Sequence, residues 1–209
     1  MVFPDESTPP PGWGARGLPH LLAAFPSGQL SEIAGPRSSG ASSLLLALVA
    51  RASAAGAVAL VDGSDQFDAG SAAAAGTDLS RLLWVKCGGR LRAAFGAADL
   101  LARCPGFALV ALDLGDASLA RRVPPAFCLR LKLAAEQGPT RLVLRLPEHQ
   151  AGSAAALAVS MRRLRSSWSG APCPTRLAGL TSEARVVTSR SRARSAVREG
   201  EGGAISWRL

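Results

Sequence analysis

Short apolar runs alternate with longer segments whose apolar residues recur every three or four positions. Gln29 to Ala34, Ala57 to Asp62, Arg81 to Cys87, Phe107 to Leu114 and Arg141 to Leu146 are the runs. They predict five strands of the continuous apolar kind that a parallel sheet buries on both faces. Ser42 to Ala55 is apolar nearly all round and predicts a buried helix that stops at Gly56. Ser64 to Ser80 predicts a short Ala-rich helix and a turn at Gly76-Thr77-Asp78. Leu91 to Cys104 carries Leu91, Phe95, Ala98 and Leu101 on one helical face. Pro125 to Gln137 is ambiguous, because Phe127, Leu129, Leu131 and Leu133 alternate like a strand. Its length and the Gly138-Pro139 stop favour a helix.

Beyond the fifth strand, Ala154 to Arg165 predicts a helix, apolar then basic. Arg176 to Leu180 is short and reads as extended. Arg185 to Arg194 and Ala204 to Leu209 predict two strands around Gly200-Glu201-Gly202-Gly203. The alternation implies an α/β fold, a mostly parallel central sheet covered by helices on both faces, with a short C-terminal β-hairpin. The chain divides into a Pro/Gly-rich N-terminal arm (1–28), a core (29–170) and a basic C-terminal extension (171–209). Within the arm, Leu18 to Phe25 predicts a turn or two of helix docked on the core. Trp84, on a predicted strand, is expected in the core; Trp13 docks either on the core or on a partner.

Charge changes this picture at one end. Of the net +9, ten arginines against three acids place +7 in residues 160–209, leaving +2 for the other 159. A basic terminal fifth suits an anionic or acidic partner. Arg190, Arg192 and Arg194 would share one face of an extended strand and could grip phosphates or an acidic protein surface. The alternative is a solvated tail. The four cysteines show no C-x-x-C spacing and lie apart from His20 and His149, so no metal site is expected and a reduced, cytoplasmic setting is. The start, MVFPDESTPPPGW, lacks the features of a signal peptide, and no run approaches the roughly 20 apolar residues a membrane-spanning helix needs.

The candidate chemistry lies between the first strand and its helix. Gly35-Pro36-Arg37-Ser38-Ser39-Gly40-Ala41-Ser42 has the spacing of a phosphate-cradling loop, G-x-x-x-x-G-K-[ST], with Ala41 where the lysine belongs. Glycines at that spacing let backbone N–H groups face an anion at a helix N-terminus. Gly35, Gly40, Ala41, Ser42 and Asp113 therefore form a degenerate nucleotide site. Either it binds ATP and magnesium weakly, or it is a relic turn kept to join strand and helix. Asp62 and Asp113, at strand ends, either serve such a site or accept structural hydrogen bonds.

The segments Gly28 to Ser42, VALVDGSDQFDAGSAAAAGTDLSRLLWV and FALVALDLGD together resemble the ATPase core of RecA recombinases over roughly residues 28–150. The resemblance matches Gly76-Thr77-Asp78-Leu79 to a G-[VI]-D-[LP] turn and puts Asp113 where an acid helps to hold magnesium. It also marks departures. Ala41 replaces the lysine, and Ser64 stands where a glutamate orients the attacking water. The segments Gly115 to Pro125 and Pro147 to Ser153, which match the DNA-binding loops, are short. Loss of a positioned base costs roughly 10²–10⁴-fold in rate, so no catalysis is expected.

LPHLLAAFPSGQLSEIAGPRSSG, the basic RVVTSRSR and the closing ISWRL resemble the ImuA family, RecA-like accessories of SOS mutagenesis. That resemblance implies three partners: RecA, an ImuB-like polymerase homologue and a DnaE-type mutagenic polymerase. A working ATP-dependent recombinase paralogue and a non-specific DNA-binding module are the alternatives.

Overall fold

The computed structural model describes residues 17–121, 123–173, 175–190 and 197–208. Helix α1 (Gly17–Ala24) leads into strand β1 (Leu30–Ala34) and helix α2 (Ala41–Ser53). Strand β2 (Ala57–Asp62), helix α3 (Ala69–Ala74), strand β3 (Leu82–Lys86) and helix α4 (Leu91–Arg103) follow. Then come β4 (Phe107–Asp113), the short α5 (Ala117–Ala120), α6 (Pro125–Ala135) and β5 (Arg141–Leu146). Three strands complete the fold: β6 (Leu157–Ser169), β7 (Arg176–Ser189) and β8 (Gly202–Arg208).

All eight strands join one sheet in the order β3-β2-β4-β5-β1-β6-β7-β8. The first six in that order are mutually parallel where they pair, and β7 runs antiparallel to both of its neighbours, β6 and β8. Alternation along the strands splits the core in two. Leu30, Ala59, Val61, Val110, Leu112, Leu142 and Leu144 meet α4 and α6 on one face. Ile33, Val58, Leu60, Leu109, Ala111 and Val143 meet α1 and α2 on the other. On α2, Leu44, Leu45, Leu48 and Val49 are buried, and each such side chain contributes roughly 1.5–3 kcal/mol by leaving water.

The Pro125 segment is a helix, with Pro125 at its first turn where a missing N–H costs nothing. Three expectations are corrected. Ala154 to Arg165 is not helical: a 3₁₀ turn at Gly152–Ala154 leads into β6. The alanines favour a helix locally, but Leu157, Val159 and Met161 alternate, and pairing with β1 buries them. The separate pieces expected over 176–194 are one strand, β7, which ends at Ser189. Its Gly179 fits between the Ser167 hydroxyl and the Trp207 carbonyl, where a Cβ would lie 2.8 and 3.0 Å from them. Trp84 is not in the core either. It stands on the outermost strand, 37% exposed, with its ring edge-on to Phe67 and Lys86 Nζ 5.0 Å from its centroid.

Candidate phosphate-binding edge of the sheet

The loop after β1 is closed on itself. Gly35 N–H donates to the Leu146 carbonyl (3.0 Å), Ser39 N–H to the Pro36 carbonyl (3.1 Å), and Leu44 N–H to the Gly40 carbonyl (2.9 Å) to start α2. Ser39 is buried, and its hydroxyl accepts from Ala41 N–H (3.3 Å). A Cβ on Gly35 would meet that hydroxyl and the Met161 carbonyl of β6. Gly40 has φ 86°, the left-handed region, and caps α2 with no side-chain hydrogen bond. Its α-carbon lies under β7 and β8: a Cβ there would strike Ser182 Oγ and stand 2.9 Å from Trp207 Nε1. Trp207 Nε1 donates to Ser182 Oγ (3.3 Å). Ala41 is buried, whereas Ser42 is exposed at the mouth of the loop.

Next to the loop, three charged residues stand in a row across the carboxyl ends of neighbouring strands. Asp62 of β2 is in register with Asp113 of β4, and Asp113 with Arg145 of β5. All three project to the α2 face. Asp62 is buried and committed: it accepts from Gln66 N–H (3.1 Å), Phe67 N–H (2.9 Å) and Trp84 Nε1 (3.4 Å), tying the β2–α3 loop to β3. Asp113 Oδ1 accepts from Gly115 N–H (2.9 Å) and Arg145 Nη1 (3.2 Å). Burial pushes the Asp113 carboxyl above its ordinary range, and neighbouring Asp62 adds to this, against the pull of Arg145 and the Gly115 N–H.

Arg145 is 6% exposed. Its guanidinium fills the space over Gly115, where a Cβ would overlap Nη1. Among the described residues its Nε is buried without a hydrogen-bond partner. Sequence reasoning missed this residue. The available signal was a charge inside the apolar run RLVLRL, which only strand order places beside Asp113.

A cavity of about 290 Å³ opens between the loop and this row, lined among others by Arg37, Ser42, Phe67, Asp68, Asp113 and Arg145. Gly35, Gly40, Ala41, Ser42 and Asp113 are thus brought together at one edge. Of the two Asp113 carboxylate oxygens, Oδ1 is already taken up by the Arg145 guanidinium and the Gly115 N–H, which weakens any magnesium site shared with Ser42. Among the described residues no group of three His, Cys, Asp or Glu side chains could hold a metal.

The basic residues fall elsewhere. Arg190 is exposed just beyond β7, its N–H donating to the Ala156 carbonyl (2.6 Å), at the opposite end of the sheet from the loop. Arg192 and Arg194, expected on the same strand face, lie outside the described residues. Arg162 pairs with Glu183 across β6 and β7 (2.8 Å). The Gly76-Thr77-Asp78-Leu79 turn is structural: Asp78 N–H donates to Ser53 Oγ (3.0 Å), and the Asp78 carboxylate accepts from Ser80 N–H (3.0 Å).

The crystal structure of the RadB recombinase superposes with a TM-score of 0.59 at 18% identity, over 88% of each chain. At that identity the likeness establishes a RecA-like fold. No curated protein matches the chain. The model of the MT3502 N-terminal domain matches residues 23–133, from the end of α1 through most of α6, and the chain belongs to that family.

Proposed function

We propose that this chain is a non-catalytic RecA-like accessory of the ImuA type. It acts in DNA-damage-induced mutagenesis and translesion synthesis by binding RecA, an ImuB-like polymerase homologue and a DnaE-type mutagenic polymerase. The observation that carries the reading is the Asp113–Arg145 pair beside a loop with Ala41 in place of lysine. The fold is kept while the charges that phosphoryl transfer depends on are rearranged. A protein that keeps such a fold without its chemistry is suited to docking. Co-elution with RecA on a sizing column, after nuclease treatment, tests it. A nuclease-resistant complex supports the adaptor. Absence of a complex with RecA and with both polymerase components discards it.

The RadB likeness offers an ATP-dependent recombinase paralogue as the alternative, and Ala41, Ser64 and Arg145 all weigh against it. A nucleic-acid-binding module draws on a separate observation: Arg163, Arg165, Arg176 and Trp168 are exposed along the β6–β7 hairpin. Non-specific binding of that kind falls in the range of roughly 10⁻⁴–10⁻⁶ M and weakens steeply with salt. Salt-sensitive DNA binding with no protein partner would transfer the assignment to it.

A further inference from the structure

We propose that the groove between α4 and α6 is a docking site for an acidic peptide of a protein partner, anchored by an aromatic or aliphatic side chain. The groove is a cavity of about 790 Å³ on the α4–α6 face of the sheet, opposite the face that carries α2 and the loop before it. Phe95 of α4 and Phe127 of α6 meet there with ring centroids 4.8 Å apart, and Arg90, Arg92 and Arg130 surround them. No acidic side chain lines it among the described residues.

Three observations point to a partner. The first is unbalanced charge: α4 and α6 carry Arg92, Arg103, Arg130 and Lys132 against Asp99 alone. Asp99 is buried and shared by Arg103 (2.9 Å) and Arg130 (2.8 Å), so one carboxylate serves two guanidinium groups. The second is Gly96, inside α4, where glycine is less favourable than alanine. Packing among the described residues does not require it, since a Cβ there would meet nothing within 4 Å. Gly96 opens on the groove, where a missing side chain lets a partner come close. The third is apolar surface on the same two helices. Leu100 is 64% exposed, and Leu129 and Leu133, one turn apart on α6, are each 53% exposed. Exposed apolar residues grouped on neighbouring elements mark interaction sites, as scattered single ones do not.

The combination selects the class of partner. A nucleic acid would use the arginines but gain little from exposed leucines and a phenylalanine floor. A wholly apolar segment would cover the arginines without pairing them, which is costly. A peptide with acids beside an aromatic or aliphatic anchor satisfies both, laid as a segment in a groove.

The test is display of random peptides against the full chain, followed by fluorescence anisotropy with the synthesised peptide that enriches most. Peptides rich in Asp and Glu, with Phe, Trp or Leu at a recurrent position, are expected. Arg92→Glu should weaken binding of that peptide by about tenfold or more, through charge reversal at the rim. Gly96→Leu should abolish binding without lowering the thermal unfolding midpoint, because its side chain enters open space. Arg51→Glu, on the exposed end of α2 across the sheet, should leave binding unchanged. The proposal is overturned by no enrichment, by enrichment of peptides without acids, or by binding that survives both groove variants. Self-association of the wild type that Gly96→Leu abolishes would give the groove to a second copy of the chain and also overturn it. Binding of single-stranded DNA that Gly96→Leu abolishes would give it to nucleic acid, with the same consequence. The readout is a peptide and not RecA or a polymerase, so this proposal and the adaptor reading can fail separately.

Discussion

Arg145 Nη1 lies 3.2 Å from Asp113 Oδ1, on residues that face each other in register across β4 and β5. The pair links the candidate site to the stability of the fold. Arg145→Met alone leaves the Asp113 carboxylate without its cation and should cost about 3 kcal/mol in urea unfolding at neutral pH. Arg145→Met with Asp113→Leu should recover most of that, because no buried charge remains. Equal losses in the single and double variants would show that the pair is not the source.

The same carboxyl sets a pH dependence. Its folded-state pKa is raised, so the folded chain holds this proton at pH values where the unfolded chain has released it. The contribution of Asp113 is therefore largest in acid and is lost as pH rises from the ordinary carboxylate pKa through the raised one. Asp113→Asn should flatten that part of the stability profile. An unchanged profile would contradict the raised pKa.

Glu32 behaves in the opposite sense. Burial pushes its carboxyl up, but hydrogen bonds from His149 (2.8 Å), Gln150 N–H (2.7 Å) and Ala151 N–H (2.9 Å) outweigh that and lower its pKa. Its contribution is present above the unfolded pKa and lost as pH falls through the folded one. Glu32→Ala should destabilise by about 2–3 kcal/mol at pH 7, since two backbone donors lose their acceptor. The gap between wild type and variant should narrow in acid, as followed by urea unfolding at several pH values.

Gly115→Ala, two positions along the chain from Asp113, should act by displacing the Arg145 guanidinium. Overpacking of this kind costs roughly 1–3 kcal/mol. A variant with wild-type stability would mean that Arg145 has room the structure does not show. Gly40→Ala should cost a similar amount, and adding Ser182→Gly should restore only part of it. The hydroxyl clash is then relieved while the φ of 86° remains.

The thiols should react in a fixed order. Cys173 is exposed, whereas Cys87 and Cys128 are buried, and burial pushes the Cys128 thiol up to about 11. A disulfide reagent at pH 8 should modify Cys173 first and Cys128 only on unfolding, read by mass spectrometry of the labelled peptides.

The first five strands and the helices among them, the short α5 excepted, were legible because each strand is a short apolar run closed by Gly, Pro or Asp. The loop was legible because glycine spacing is a local signal. What escaped depends on which elements become neighbours. β6 has a helix-forming composition, and only the open edge of β1 makes it a strand. Trp84 looks like a core residue until β3 is found to be the outermost strand. Arg145 looks like an ordinary charge at a strand end until β5 is found beside β4, between Asp113 and Ile33.

Gly40 lies directly beneath Ser182 and Trp207, so the loop and the last two strands share one packing contact across about 140–170 residues of sequence. The two cannot be energetically independent. A ligand that reshapes the loop must do work against β7 and β8, and a partner that engages β8 changes the loop's affinity for that ligand by the factor by which the ligand changes the partner's affinity. Removing residues 202–209 is therefore as much a perturbation of the loop as a substitution within it.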